Sequence, residues 1–121
     1  MSPEEVLTLQ VQEFNKGNTD LLMTLYENEA GFAPRPGEID NDPGSIRRSF
    51  QSFIDMGAKL QAKAKRVLYA RDLALLITEW TLVGTDHSGK PINLTGRGTI
   101  VFRKQLDGNW LMVIENPWGT E

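Results

Sequence analysis

Apolar and polar positions divide the chain into a helical first half and an extended second half. Val6, Leu7, Val11 and Phe14 recur at helical spacing. Ahead of them, Ser2-Pro3-Glu4-Glu5 supplies a helix start, with Ser2 as N-cap, Pro3 at the first helical position and two carboxylates favoured by the positive end of the helix dipole. Gly17 suits the left-handed C-cap that ends this helix. Asn18 or Thr19 caps a second, shorter helix through Leu21, Leu22, Leu25 and Tyr26. Glu29 to Ala33 reads as a short strand. Pro34-Arg35-Pro36-Gly37 then opens a loop that extends to Gly44, because two prolines and a glycine deny regular hydrogen bonding. From Ser45, the spacing of Ile46, Phe50, Phe53 and Ile54 predicts a third amphipathic helix, stopped at Met56-Gly57.

After Gly57 the period becomes two. Leu60, Ala62 and Ala64 alternate with Lys59, Gln61, Lys63 and Lys65, the signature of a strand with one wet face. This strand runs to Tyr69 and turns at Ala70-Arg71-Asp72, and Leu73 to Val83 forms a very apolar strand. Asp86-His87-Ser88-Gly89 is the next turn, which leaves His87 at an exposed tip. Thr85 opposite Lys90 sets Thr78 against Arg97 and Trp80 against Thr95. Asp107-Gly108 marks a tight hairpin between the last two strands, in which Val101 meets Ile114 and Thr99 meets Asn116.

Alternation then gives two sheet faces. Thr78, Trp80, Arg97, Ile114 and Asn116 share the one expected to point inward, offering a fixed cation, a large π surface and an amide. The opposite face carries Ile100, Phe102, Leu111 and Val113, apolar enough to require a second subunit. Strict alternation puts the carboxylates of Glu79 and Glu115 on that outer face too. Arg35 sits on a loop stiffened by its flanking prolines, and Tyr26 and Tyr69 are phenols able to donate hydrogen bonds into a pocket.

Composition narrows the function classes. The 121 residues, 40% of them hydrophobic, fit one domain over residues 1–121 with a real core. A net charge of −3 argues against nucleic acid as a partner. Without cysteine there are no disulfides, thiol catalysis or cysteine-ligated metal, and the single histidine offers no zinc cluster, so no metal or cofactor is expected. Neither a signal peptide nor a membrane-length apolar run is visible, which makes the cytoplasm the expected compartment.

The order helix, helix, short strand, loop, helix, four-stranded meander belongs to the α+β class. That order, with NKGNTDLLMTLYENEAGF, FAPRPGE and GRGTIVFRKQLDGNWLMVIENPWG, resembles the SnoaL-like and ketosteroid-isomerase-like branches of the nuclear-transport-factor-2-like superfamily over nearly the whole chain. The resemblance implies a cone-shaped, cystatin-like fold: three N-terminal helices packed on a curved, mainly antiparallel sheet, a pocket at the open end, and a homodimer through the outer sheet face. The best-known chemistry of such proteins uses a carboxylate base, a tyrosine and a protonated aspartic acid.

Carried over position by position, the tyrosine falls at Gln10, the base at Pro34 and the acid at Gly98. Histidine-bearing positions of the last strand fall at Ile114 and Asn116. The resemblance therefore implies a small-molecule pocket protein lacking the steroid isomerase acid and base. Isomerase, cyclase or hydrolyase chemistry on an apolar carbonyl or carboxylate compound is one option, and a non-catalytic dimeric association or ligand-sensing module is the other. The pocket candidates are Tyr26, Arg35, Tyr69, Trp80, Arg97, Ile114 and Asn116. No catalytic residue is assigned.

Overall fold

Three helices and five strands make up the computed structural model, which describes residues 1–121. Helix α1 spans Pro3–Lys16 and α2 Thr19–Met23, followed by strand β1 over Tyr26–Phe32. Helix α3 spans Pro43–Asp55, and strands β2 (Lys59–Ala70), β3 (Leu73–Thr85), β4 (Pro91–Lys104) and β5 (Trp110–Asn116) complete the chain. The Ser2 hydroxyl accepts from the Glu5 N–H while the Glu5 carboxylate accepts from the Ser2 N–H, a reciprocal cap that fixes the start of α1. Gly17 ends it at φ 76°, where a Cβ would be strained. Helix α3 starts two residues before Ser45 because Asp42 caps it and Pro43 needs no amide partner in the first turn.

The sheet runs β1-β5-β4-β3-β2, with β1 parallel to β5 and the other pairs antiparallel. It is curved and unclosed, and the helices lie across its concave side. Helix α1 packs mainly on β2, and α3 reaches β1. Phe102, Leu22, Ile46, Leu76, Ile100 and Met112 are the large side chains fully buried between the layers. This is the cystatin-like α+β architecture.

Register decides what each face presents, and here the structure corrects the sequence reading. Thr85 pairs with Pro91 and Thr78 with Gly98, one residue beyond the expected match. The cause is Asp86, whose carboxylate accepts the N–H groups of Ser88 and Lys90 while its own N–H donates to the Lys90 carbonyl, so that Lys90 belongs to the loop. A slip of one residue turns every side chain of β4 to the other face. Ile100 and Phe102, 2% and 0% exposed, therefore lie in the core and are not on the outer face offered to a partner. Arg97 points outward, where it and Lys63 and Lys65 surround Glu79.

Between β4 and β5, Val101 does meet Ile114 and Thr99 does meet Asn116. Nearer the turn, Phe102 pairs with Met112, leaving Val113 as the extra residue of a β-bulge. Because of that bulge Met112 and Glu115 both face the core, although they are three residues apart. Leu111, opposite Arg103, stays on the outer side, and Val113 is half-buried at the bulge. The outer face instead presents a cross-strand row of Leu68, Leu75, Val101 and Ile114.

Candidate functional site

A cavity of about 670 Å³ opens between the inner sheet face and helices α1 and α3. Its body is apolar. Phe50 on α3 lies 6.4 Å from Phe14 and 5.1 Å from Phe32, centroid to centroid, which sets aromatic edges and faces along one wall. Trp80, Leu82 and Ile100 line the sheet side.

The far wall is the end of the chain. The Trp80 indole N–H donates to the Pro117 carbonyl at 2.7 Å, the Trp118 indole N–H donates to the Ala33 carbonyl at 2.9 Å, and the two indoles meet edge to face at 5.6 Å. Two glycines of the Gly-Arg-Gly run make room for this. A Cβ on Gly96 would come within 3.1 Å of the Trp80 ring, and one on Gly98 within 2.9 Å of the Asn116 carbonyl oxygen. That run was legible as a motif in the sequence; its reason is the close approach of Trp80 and the last turn.

Polar groups occupy two separate places. Deep in the cavity, Gln10 of α1 and Glu115 of β5 face the space, 4% and 8% exposed. The Gln10 side-chain N–H groups donate to the Tyr26 hydroxyl and to Glu115 Oε2, both at 2.8 Å, and the Tyr26 hydroxyl donates to Glu115 Oε1. Burial pushes the Glu115 carboxyl above its ordinary value, although the bonds from Tyr26 and Gln10 act against the shift. Burial, with the Glu115 charge added, pushes the Tyr26 phenol well up, so that it stays a donor. Glu115 is the only carboxyl that lines this cavity. At the mouth, by contrast, stand Arg35, Arg48 and the hydroxyls of Ser45, Ser49 and Ser52.

The seven sequence candidates separate accordingly. Trp80, Arg35 and Asn116 line the cavity. The Arg35 guanidinium is engaged with Glu38, and the Asn116 amide donates to the Gly119 carbonyl at 2.8 Å. Tyr26 sits behind the lining as the partner of Glu115. Three candidates stand elsewhere. Arg97, its side chain 76% exposed, is on the outer face beside Glu79 and does not line this cavity. Ile114, 45% exposed, belongs to the outer row. Tyr69, 57% exposed, packs edge-on against Trp110 at 5.7 Å under the far end of α1, with its hydroxyl toward Glu4.

Sequence reading missed Glu115 and Gln10 as a pair. Gln10 was reached only as a position lacking the expected tyrosine, and Glu115 was placed outside because the face assignment was inverted. The signal for Glu115 was its parity: it shares a face with Ile100 and Phe102, the most apolar pair of β4. The three carried-over positions do belong to this region. Gln10 and Pro34 line the cavity, whereas Gly98 lies against the Asn116–Pro117 backbone, which leaves no room for an acid there.

No protein-family model matches the sequence, and no curated protein is significantly similar to it. Solved structures are similar in fold. A ketosteroid isomerase-like protein from Erwinia carotovora atroseptica superposes with a TM-score of 0.78 at 13% identity, covering 93% of this chain and 88% of the other. An NTF2-like protein with a cystatin-like fold from Novosphingobium aromaticivorans gives 0.74 at 14% identity over 93% and 75%. A candidate calcium/calmodulin dependent protein kinase II association domain from Xanthomonas campestris gives 0.73 at 23% identity over 91% and 79%.

Proposed function

Since the chain has the fold of NTF2-like and ketosteroid isomerase-like proteins, we propose that it binds an apolar small molecule in its cone and that Glu115 exchanges a proton with it. The observation that carries this reading is a single carboxyl group, buried and raised in pKa, facing a cavity whose body is apolar and which no other carboxyl lines. A carboxylate short of solvation is a better base, and its acid form stays available to return the proton. Tyr26 and Gln10 hold both carboxyl oxygens without filling the space before them, and so act as positioning residues. The reaction class is proton transfer at the carbon next to a carbonyl. Glu115 takes the proton, the electron pair moves into an enolate, and protonated Glu115 gives the proton back to the same or a neighbouring carbon. Isomerisation and hydrolyase chemistry both begin with that step.

Deuterium incorporation tests it without knowledge of the natural substrate. In D₂O, the protein is expected to accelerate exchange of the hydrogens adjacent to the carbonyl of α-tetralone, a neutral apolar bicyclic ketone, as followed by proton NMR. Glu115→Gln keeps the shape and removes the base, and is expected to slow the catalysed exchange about 100-fold. Equal exchange by the variant, or none above buffer with the wild type, would overturn the reading.

A second reading has its own observation. The outer row of Leu68, Leu75, Val101 and Ile114 is an apolar stripe on the solvent side of a sheet, where Leu68 is 50% and Ile114 45% exposed. We infer that a second copy covers it and makes the protein a dimeric module, with or without chemistry in the cone. Light scattering is expected to give twice the monomer mass at micromolar concentration, and Ile114→Arg to give the monomer mass with unchanged circular dichroism. A wild-type monomer excludes this reading.

A further inference from the structure

The polar groups of the cavity are sorted by charge along its length, and this sorting is not needed for proton exchange at Glu115. The deep end holds a carboxyl; the mouth holds two guanidinium groups and three hydroxyls. Arg35 is neutralised by Glu38, to which it donates from two nitrogens. Arg48 takes part in none of the seven ion pairs of the chain, which use Arg35, Arg47, Arg97, Arg103 and three lysines. Asp40 is held below its ordinary value chiefly by the Ser45 hydroxyl and the Asp42 N–H, which take up its oxygens, and only lastly by the charge of Arg48. One face of α3 therefore presents a guanidinium outside any ion pair together with the hydroxyls of Ser49 and Ser52, all three bordering the cavity.

We propose that Arg48, Ser49 and Ser52 form a carboxylate subsite at the mouth, so that the ligand is an apolar acid whose anionic head stays on α3 while its carbonyl end points down to Glu115. The proposal rests on the pocket reading above and deepens it. Three considerations select this ligand and this orientation. A single free guanidinium matches one carboxylate in planar, two-point fashion, whereas a dianionic phosphate calls for more free positive charge than the mouth provides. An anionic head cannot go to the deep end, where it would lose water beside Glu115 with no cation to compensate. The apolar body between the two ends matches the aromatic wall of Phe14, Phe32 and Phe50.

β-Benzoylpropionate and its methyl ester differ only in the charge at the head and serve as a matched pair of probes. Dissociation constants are measured by NMR titration at low and at moderate salt. The wild type is expected to bind the acid about tenfold more tightly than the ester, with a preference that shrinks as salt rises. Arg48→Gln is expected to remove the preference while leaving the ester affinity unchanged, and Arg48→Lys to restore part of it. Acid and ester binding equally to the wild type would overturn the subsite and leave the pocket reading standing. The same holds if Arg48→Gln weakens both probes alike. If neither probe binds at millimolar concentration, the pocket reading fails and this inference fails with it.

Discussion

Glu115→Leu is expected to lower the unfolding free energy by about 2–6 kcal/mol at mildly acid pH, because it strands two buried donors at about 1–3 kcal/mol each. Those donors are the Tyr26 hydroxyl and the Gln10 amide, which share Glu115 as acceptor. The loss depends on pH in a definite direction. Burial raises the folded-state pKa of Glu115 above the usual 4.5, so the folded protein holds that proton more tightly than the unfolded chain. The stabilising contribution is therefore complete below 4.5 and disappears as pH rises through the raised value. Urea melts of wild type and Glu115→Leu should differ most in the acid range and converge toward alkaline pH.

The triple variant Gln10→Leu, Tyr26→Phe, Glu115→Leu removes donors and acceptor together and is expected to recover most of the stability. That pair of results would show a polar cluster the fold can do without. A divergence between the two proteins that grows with pH would contradict the direction of the shift, and a triple variant no more stable than the single one would make the cluster structural.

Phe102→Ala is expected to cost about 3–5 kcal/mol, the range for emptying a fully buried aromatic site, since Phe102 is 0% exposed. Against a typical domain stability of about 5–15 kcal/mol, this threatens folding at growth temperature. Denaturant midpoints of Phe102→Ala and Ile114→Ala measured side by side give the check. The second residue, 45% exposed, should lose much less in a monomer. A larger loss at Ile114 than at Phe102 would mean that the two faces of the sheet have been assigned the wrong way round.

That comparison also locates where the sequence was and was not legible. Caps and turns carry their own chemistry, so Ser2, Gly17 and Asn18 marked where the first two helices start and the first ends, but α2 stops at Met23 and Tyr26, read as helical, instead opens β1, three residues before the strand expected from Glu29. The β2–β5 strands were equally plain from their extended, β-rich runs. What alternation cannot supply is the phase between strands, which depends on how many residues the Asp86 side chain gathers into its loop. One extra residue there moved Arg97 from the pocket to the surface and Ile100 and Phe102 from the surface to the core. In the last hairpin two displacements cancelled. The turn takes up one residue more than a centre at Asp107-Gly108 implies, the bulge at Val113 shifts the register back, and Val101 meets Ile114 in any case. Arg48 escaped notice because nothing along a helix tells which exposed arginine will border a cavity made by distant strands.

The parallel pairing of β1 with β5 has a consequence for the order of folding. Strand β1 has β5 as its sole strand neighbour, and the contacts that close the cone join Glu115 to Tyr26 across 89 positions and to Gln10 across 105. During synthesis, the first helices and β1 emerge long before the segment that completes them. The β2–β4 meander can assemble from nearby residues, whereas the polar cluster and the Trp118 wall need Glu115 and Trp118 in place. Such long loops are closed late and at high entropic cost, which slows folding and leaves the apolar inner faces exposed in the interval. Closure of the cone thus waits for β5, whichever of its partners forms first.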